Sequence, residues 1–166
     1  VPVDDHLVAA VIDQSAALAL LVPVTWRYRE TAARTQMAVR NAYGLQLFVG
    51  MQVIKDKPWK PTAYLMYEGE HLRRLDVNGS HTNRTPDRER WRSRTHKHRW
   101  TEAHHDAVAY TPTDIPQVPV GVVTSGHLRD VFEGFLTECG IATRGAYDWS
   151  DPNLVLDVSR RPSGEV

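Results

Sequence analysis

The feature that most limits how this chain can fold is a two-residue alternation of apolar and polar side chains. It starts at Val24 and recurs in "VTWRYRE", "QMAVRNAY", "LQLFVGMQVI" and "TAYLMYEGEHLRRLDVNG". Successive side chains of a strand point to opposite faces, so this period describes half-buried, antiparallel strands rather than helices. The "YEGEH" segment places Gly69 between two such runs, which predicts a tight hairpin. The turn-rich "KDKPWKP" separates the preceding pair. Strand character returns at "THKHRWTEA" after a polar stretch, Asn78 to Arg94, that reads as a long loop.

Helical periodicity is confined to the two ends. Asp4 and Asp5 are candidate caps for a helix running through Leu7, Val8, Val11, Ile12, Leu18 and Leu21 to the neighbourhood of Pro23. Near the other end, "SGHLRDVFEGFLTECGI" puts Leu128, Val131, Phe132, Phe135 and Leu136 on one helical face, with Ser125 as a cap and Gly140 as a stop. The predicted architecture is α+β: an N-terminal helix, an antiparallel sheet of about five strands, and a C-terminal helix packed on the sheet. A chain of 166 residues suits one domain, here 1–158, followed by a frayed tail, 159–166.

Composition narrows the setting. Hydrophobic residues make up 42% of the chain, yet no apolar run approaches the roughly 20 residues that cross a bilayer. The stretch 7–22 is interrupted by Asp13, Gln14 and Ser15 and lacks a basic flank, so it does not read as a signal peptide. Cys139 is the single cysteine, expected to be small and buried, which fits a reducing cytoplasm and no membrane association. Formal net charge is zero, arguing against a protein that coats nucleic acid through bulk charge. The distribution is uneven: from Arg84 to Trp100 six Arg and one Lys face only Asp87 and Glu89. That marks one basic lobe.

Within it, "RTHKHRWTEAHH" (94–105) holds four of the eight histidines. On a strand His96 and His98 project together, with Arg94 and Trp100 beside them, while Lys97 and Arg99 point the other way. Three chemistries compete. The His-x-His pair is half of a site for Zn, Fe or Ni, completed by His81, Asp87, Glu102 or His104. Its extension as H-x-H-x3-E partly matches the first cupin motif, without the flanking glycines. The surrounding Arg94, Lys97 and Arg99 add positive charge that disfavours a dication. The same charge favours the second chemistry, metal-independent cleavage of RNA, in which imidazoles exchange protons and guanidinium groups stabilise the phosphorane. The third possibility is a solvated strand whose histidines and arginines are structural.

Two further stretches join the motif. "LRRLDVNGSHTNRTPD" (72–87), "THKH" (95–98) and "FEGFLTECGI" (132–141) together resemble an uncharacterised prokaryotic family with an R-x-D-x-x-G-x-x-H-x-N-P-D element, an H-x-H strand and a late helix. The matching positions are Arg74, Asp76, Gly79, His81, Asn83, Asp87, His96 and His98, with the Asn-Pro-Asp element stretched here to Asn83–Arg84–Thr85–Pro86–Asp87. The resemblance implies that these residues form one site. The order of elements also resembles small bacterial ribonucleases and toxins at the level of fold alone.

The expectation is therefore a metal-independent endoribonuclease, of toxin or phage-defence type, that needs no cofactor. His81, His96 and His98 supply the acid and base. Arg74 holds phosphate and Asp76 orients a neighbour, while Arg94, Arg99, Trp100 and Asn83 bind substrate. RNA is the expected partner, with an antitoxin-like protein as a second. The alternatives are a non-catalytic nucleic-acid or protein-binding module and a His-x-His metal enzyme.

Overall fold

The alternating segments pair side by side in a computed structural model that describes residues 2–13, 16–83, 88–115, 120–121, 123–124 and 126–154. In chain order the elements are α1 (Asp5–Ile12), β1 (Ala19–Leu20), β2 (Arg27–Tyr28), β3 (Ala32–Val39), β4 (Leu47–Ile54), β5 (Thr62–Tyr67), β6 (Glu70–Asp76), β7 (His81–Thr82), β8 (Arg90–Trp91), β9 (His96–Thr101), β10 (His105–Tyr110), α2 (His127–Glu138) and β11 (Ala142–Thr143). Among the described residues one antiparallel sheet has seven strands in the order β10-β9-β6-β5-β4-β3-β2. The α+β class and the two helices are as expected; the sheet is larger than about five strands. β2 has only two residues, and the alternation of β10 is obscured in the sequence by the polar run His104–His105–Asp106.

Two expected boundaries move. The first helix stops at Ile12, with Asp13 as its C-cap, and Ala17 adopts a positive φ of 47°. Leu18 and Leu20 are then buried in extended chain, where Ala19–Leu20 pairs in parallel with Ala142–Thr143. An apolar run serves helix or strand equally well, and here pairing with β11 decides. The expected cap at the start does form: Asp4 Oδ1 accepts from the Leu7 amide at 2.7 Å. The second change is in the loop from Asn78 to Arg94, which contains the small antiparallel pair β7–β8. The hairpin between β5 and β6 is as predicted, turning on Glu68 and Gly69, both at positive φ. Ser125, Pro86, Asp87 and the tail from 159 lie outside the described residues.

The core joins α1, α2 and the inner sheet face through Val11, Val49, Met51, Leu65, Phe132 and Phe135, all at 0% exposure. Gly140, at φ 66°, ends α2 as its sequence position suggests. Cys139 is buried beside it, and desolvation pushes its thiol well above the usual range. Since the thiolate is the reactive form, iodoacetamide at pH 8 should leave Cys139 unmodified in the native protein and label it fully in denaturant, as read by intact mass.

Candidate metal centre

Register brings the site together. Across the antiparallel ladder Asp76 lies opposite His96 and Arg74 opposite His98, so two residues of β6 and two of β9 share one face. The β7–β8 pair adds His81 to that face. Its ring centroid stands 5.7 Å from that of His96 and 4.6 Å from that of His98. Trp91 of β8 packs against His96 at 5.6 Å. One ligating nitrogen from each of His81, His96 and His98 lies within 4.8 Å of the others.

Hydrogen bonds fix which nitrogen each ring offers. A carbonyl oxygen can only accept, so a ring nitrogen bonded to one must carry the hydrogen. His96 Nδ1 donates to the Arg94 carbonyl at 2.9 Å, and His98 Nδ1 donates to the Asp106 carbonyl at 2.8 Å. His81 Nε2 donates to the Ala107 carbonyl at 3.0 Å, with Asn83 Oδ1 at 3.1 Å. Asn83 is itself held on β10, donating to the Ala109 carbonyl and accepting from the Ala109 amide. The nitrogens left over are Nε2 of His96, Nε2 of His98 and Nδ1 of His81. His96 Nε2 is buried without a hydrogen-bond partner.

A carboxylate lies beside two of the three rings. Asp76 Oδ2 is 3.2 Å from His98 Nε2 and 3.5 Å from His96 Nε2. Thr62 Oγ1 donates to the other oxygen at 2.8 Å. Burial pushes the Asp76 carboxyl up. The His96 and His98 imidazoles, the Arg74 guanidinium and Thr62 together outweigh this and hold it far below the usual range. Desolvation, reinforced by the nearby His98 and His96 rings, lowers His81 against the opposing bond to Ala107. The His81 shift favours the neutral imidazole that ligates metal.

Arg74 stands at the edge of the cluster. Its Nε donates to Asp76 Oδ2 at 3.2 Å, its Nη1 pairs with Asp106 Oδ2, and its Nη2 lies 3.0 Å from His98 Nε2. His71 flanks the same Asp106 carboxylate at 3.3 Å. Outside, a shallow depression of about 440 Å³ is lined by Ser80, His81, Arg90, Trp91 and Arg92.

The sequence-predicted residues divide in three ways. His81, His96, His98, Asp76 and Arg74 meet. Asn83 is fully buried and positions His81 instead of binding substrate. Of the three other substrate contacts expected from the sequence, Arg94 and Arg99 are exposed and Trp100 is buried. Trp100 is 3% exposed, sits in the core and donates to Glu70, so it offers no face for stacking. The Arg99 guanidinium lies over the Tyr110 ring at 4.7 Å. Arg94 contributes its carbonyl to His96. Of the expected fourth ligands, Glu102 and His104 are exposed and Asp87 lies outside the described residues. The charge objection to a metal also weakens: Lys97 is buried on the opposite face, with Nζ 2.7 Å from Asp114 and 3.6 Å from Glu138.

Sequence reasoning passed over the packing role of Gly79. A Cβ there would come 3.0 Å from both His96 Cε1 and Asp76 Cβ. The Gly in D-x-x-G-x-x-H is the signal that marks it. Comparison with family models, characterised proteins and solved structures finds no match for this chain.

Gly79→Ala should therefore lower stability by about 1–3 kcal/mol through crowding of His96, read as a fall in thermal midpoint. Gly69→Asn, in an open turn at positive φ with nothing near its Cβ, should cost less than half as much.

Proposed function

We propose that this protein is a metal-dependent hydrolase. A first-row ion such as zinc would be held by His81, His96 and His98, with the Asp76 carboxylate beside the last two. The observation that carries the reading is the fixed tautomer of all three rings. Each imidazole gives its hydrogen to a backbone carbonyl, as metal-binding histidines do, and the remaining nitrogens converge, one of them orphaned at 1% residue exposure.

Burial separates this from metal-free acid/base cleavage. A general acid or base must come within hydrogen-bond reach of the proton it moves, whereas His96 and His98 are 1% and 0% exposed. Buried rings still ligate an ion whose open side faces solvent. That side is carried by His81, Asp76 and Arg74, which are only partly buried. A bound zinc supplies Lewis acidity and lowers the pKa of water toward neutrality. The chain supplies the rest. Asp76 offsets positive charge, Trp91 and the β7–β8 pair keep the imidazoles dry, and Asp106 holds Arg74 at the rim. Arg74, at the partly exposed edge with Nη2 3.0 Å from His98 Nε2, would present its guanidinium to an anionic group of the substrate.

Untagged protein purified without chelators should carry one zinc per chain by elemental analysis. Stripping it should lower the melting temperature, and zinc at about 100 times Kd should restore about 2.7 kcal/mol of stability. His96→Ala should abolish uptake. Hydrolysis of bis(p-nitrophenyl) phosphate should disappear with the metal and return with it. Protein that takes up no first-row metal, yet cleaves RNA in EDTA, would restore the metal-free mechanism. Binding of RNA without any cleavage would leave a non-catalytic module.

A further inference from the structure

The face that carries the metal cluster continues across the sheet. Residues directly opposite in an antiparallel ladder share a face, and two unbroken rows run from β9 to β3. One is His96–Asp76–Thr62–Gln52–Arg34, extended to Arg27 on β2; the other is His98–Arg74–Tyr64–Gly50–Gln36. Four ladder steps separate His96 from Arg34, about 19 Å at the usual strand spacing.

The far end of this face is built unlike ordinary surface. Arg27 and Arg34 are direct cross-strand partners, an arrangement that like charges destabilise. With Arg29 they line a cleft of about 320 Å³ together with Gln36, Phe48 and Tyr64. Among the described residues no carboxylate forms an ion pair with any of the three arginines. The Tyr64 ring lies across Gly50, where a Cβ would come within 2.6 Å of its Cζ, and its hydroxyl donates to Gln36 Oε1 at 3.3 Å. The ring thus lies across the sheet and is partly exposed. Guanidinium groups unneutralised by acids suit phosphates, and a tethered ring beside them suits a base.

We propose that this face binds single-stranded nucleic acid, its backbone held by Arg27, Arg29 and Arg34 and a base stacked on Tyr64, with the strand running toward the metal centre. This rests on the hydrolase reading for its consequence, cleavage, but not for binding itself. The length of the track accommodates on the order of four nucleotides, the lower end of such footprints. An acidic polypeptide would satisfy the arginines and leave the flat aromatic platform without a role.

The test uses fluorescence anisotropy on the zinc-treated full chain. The probes are labelled oligouridylate and oligodeoxythymidylate of about ten nucleotides. Binding should weaken steeply with salt. Arg27→Thr and Arg34→Thr should each reduce the slope of log K against log salt by about 0.7, and together should lower affinity about tenfold or more. Each exposed substitution should also raise the melting temperature by on the order of 1–2 °C, because it removes a like-charge pair; Tyr64→Leu should weaken binding without changing the salt slope. Oligonucleotide affinity unchanged in the double variant would overturn the proposal. Displacement of oligonucleotide by polyglutamate at equal concentration would also overturn it and assign the face to an acidic chain. The two readings separate cleanly: a chain that takes up zinc but binds neither oligonucleotide loses the track alone. His96→Ala should bind oligonucleotide like wild type while failing to cleave it.

Discussion

Everything at the centre depends on where three imidazole hydrogens sit. Main-chain oxygens decide this: Arg94 just before β9, and Asp106 and Ala107 on β10. Because the acceptors belong to the backbone of the sheet and its approach, the donor nitrogens are set by strand geometry and not by mobile side chains. The rings are thereby held in place without any ligand, so nothing that binds there would have to order them at a cost in rotamer entropy.

The strand period then sorts charge. β9 alternates a histidine face with a face bearing Lys97 and Arg99, and each cation finds its own partner there: Asp114 and Glu138 for the lysine, the Tyr110 ring for the arginine. A stretch that is strongly basic when written as a string is therefore divided in space. Hydrogen-bonded to His98 on the histidine side is the Arg74 guanidinium, itself tied to two carboxylates. This division makes a dication acceptable beside so many positive residues.

Much of this was legible in the sequence. The period of two gave the antiparallel sheet, and the spacing of His96 and His98 gave their shared face. The D-x-x-G-x-x-H run tied Asp76, Gly79 and His81 to that pair. Charge counted along the chain, and not by face, weighs against a metal more heavily than the spatial distribution does. Trp100 has the same parity as His98, but at the end of β9 that parity leads into the core against Glu70. The pairing of Arg27 with Arg34, and their place in a row ending at His96, depends on the register of five ladders, which no local pattern specifies. The early end of α1 reflects competition with β11, a partner more than a hundred residues away.

The short segment around Asn83 reaches beyond the metal ligands. A sheet's last strand exposes a row of unmatched amide and carbonyl groups that can recruit another polypeptide. On β10 those at positions 107 and 109 are occupied by His81 and Asn83. At the other border the two-residue β2 bears Arg27 and leaves little length to extend. The same few bonds that orient the His81 ring thus keep one copy of the protein from adding to another's sheet, so loosening this segment invites fibrous self-association as well as disorder among the histidines.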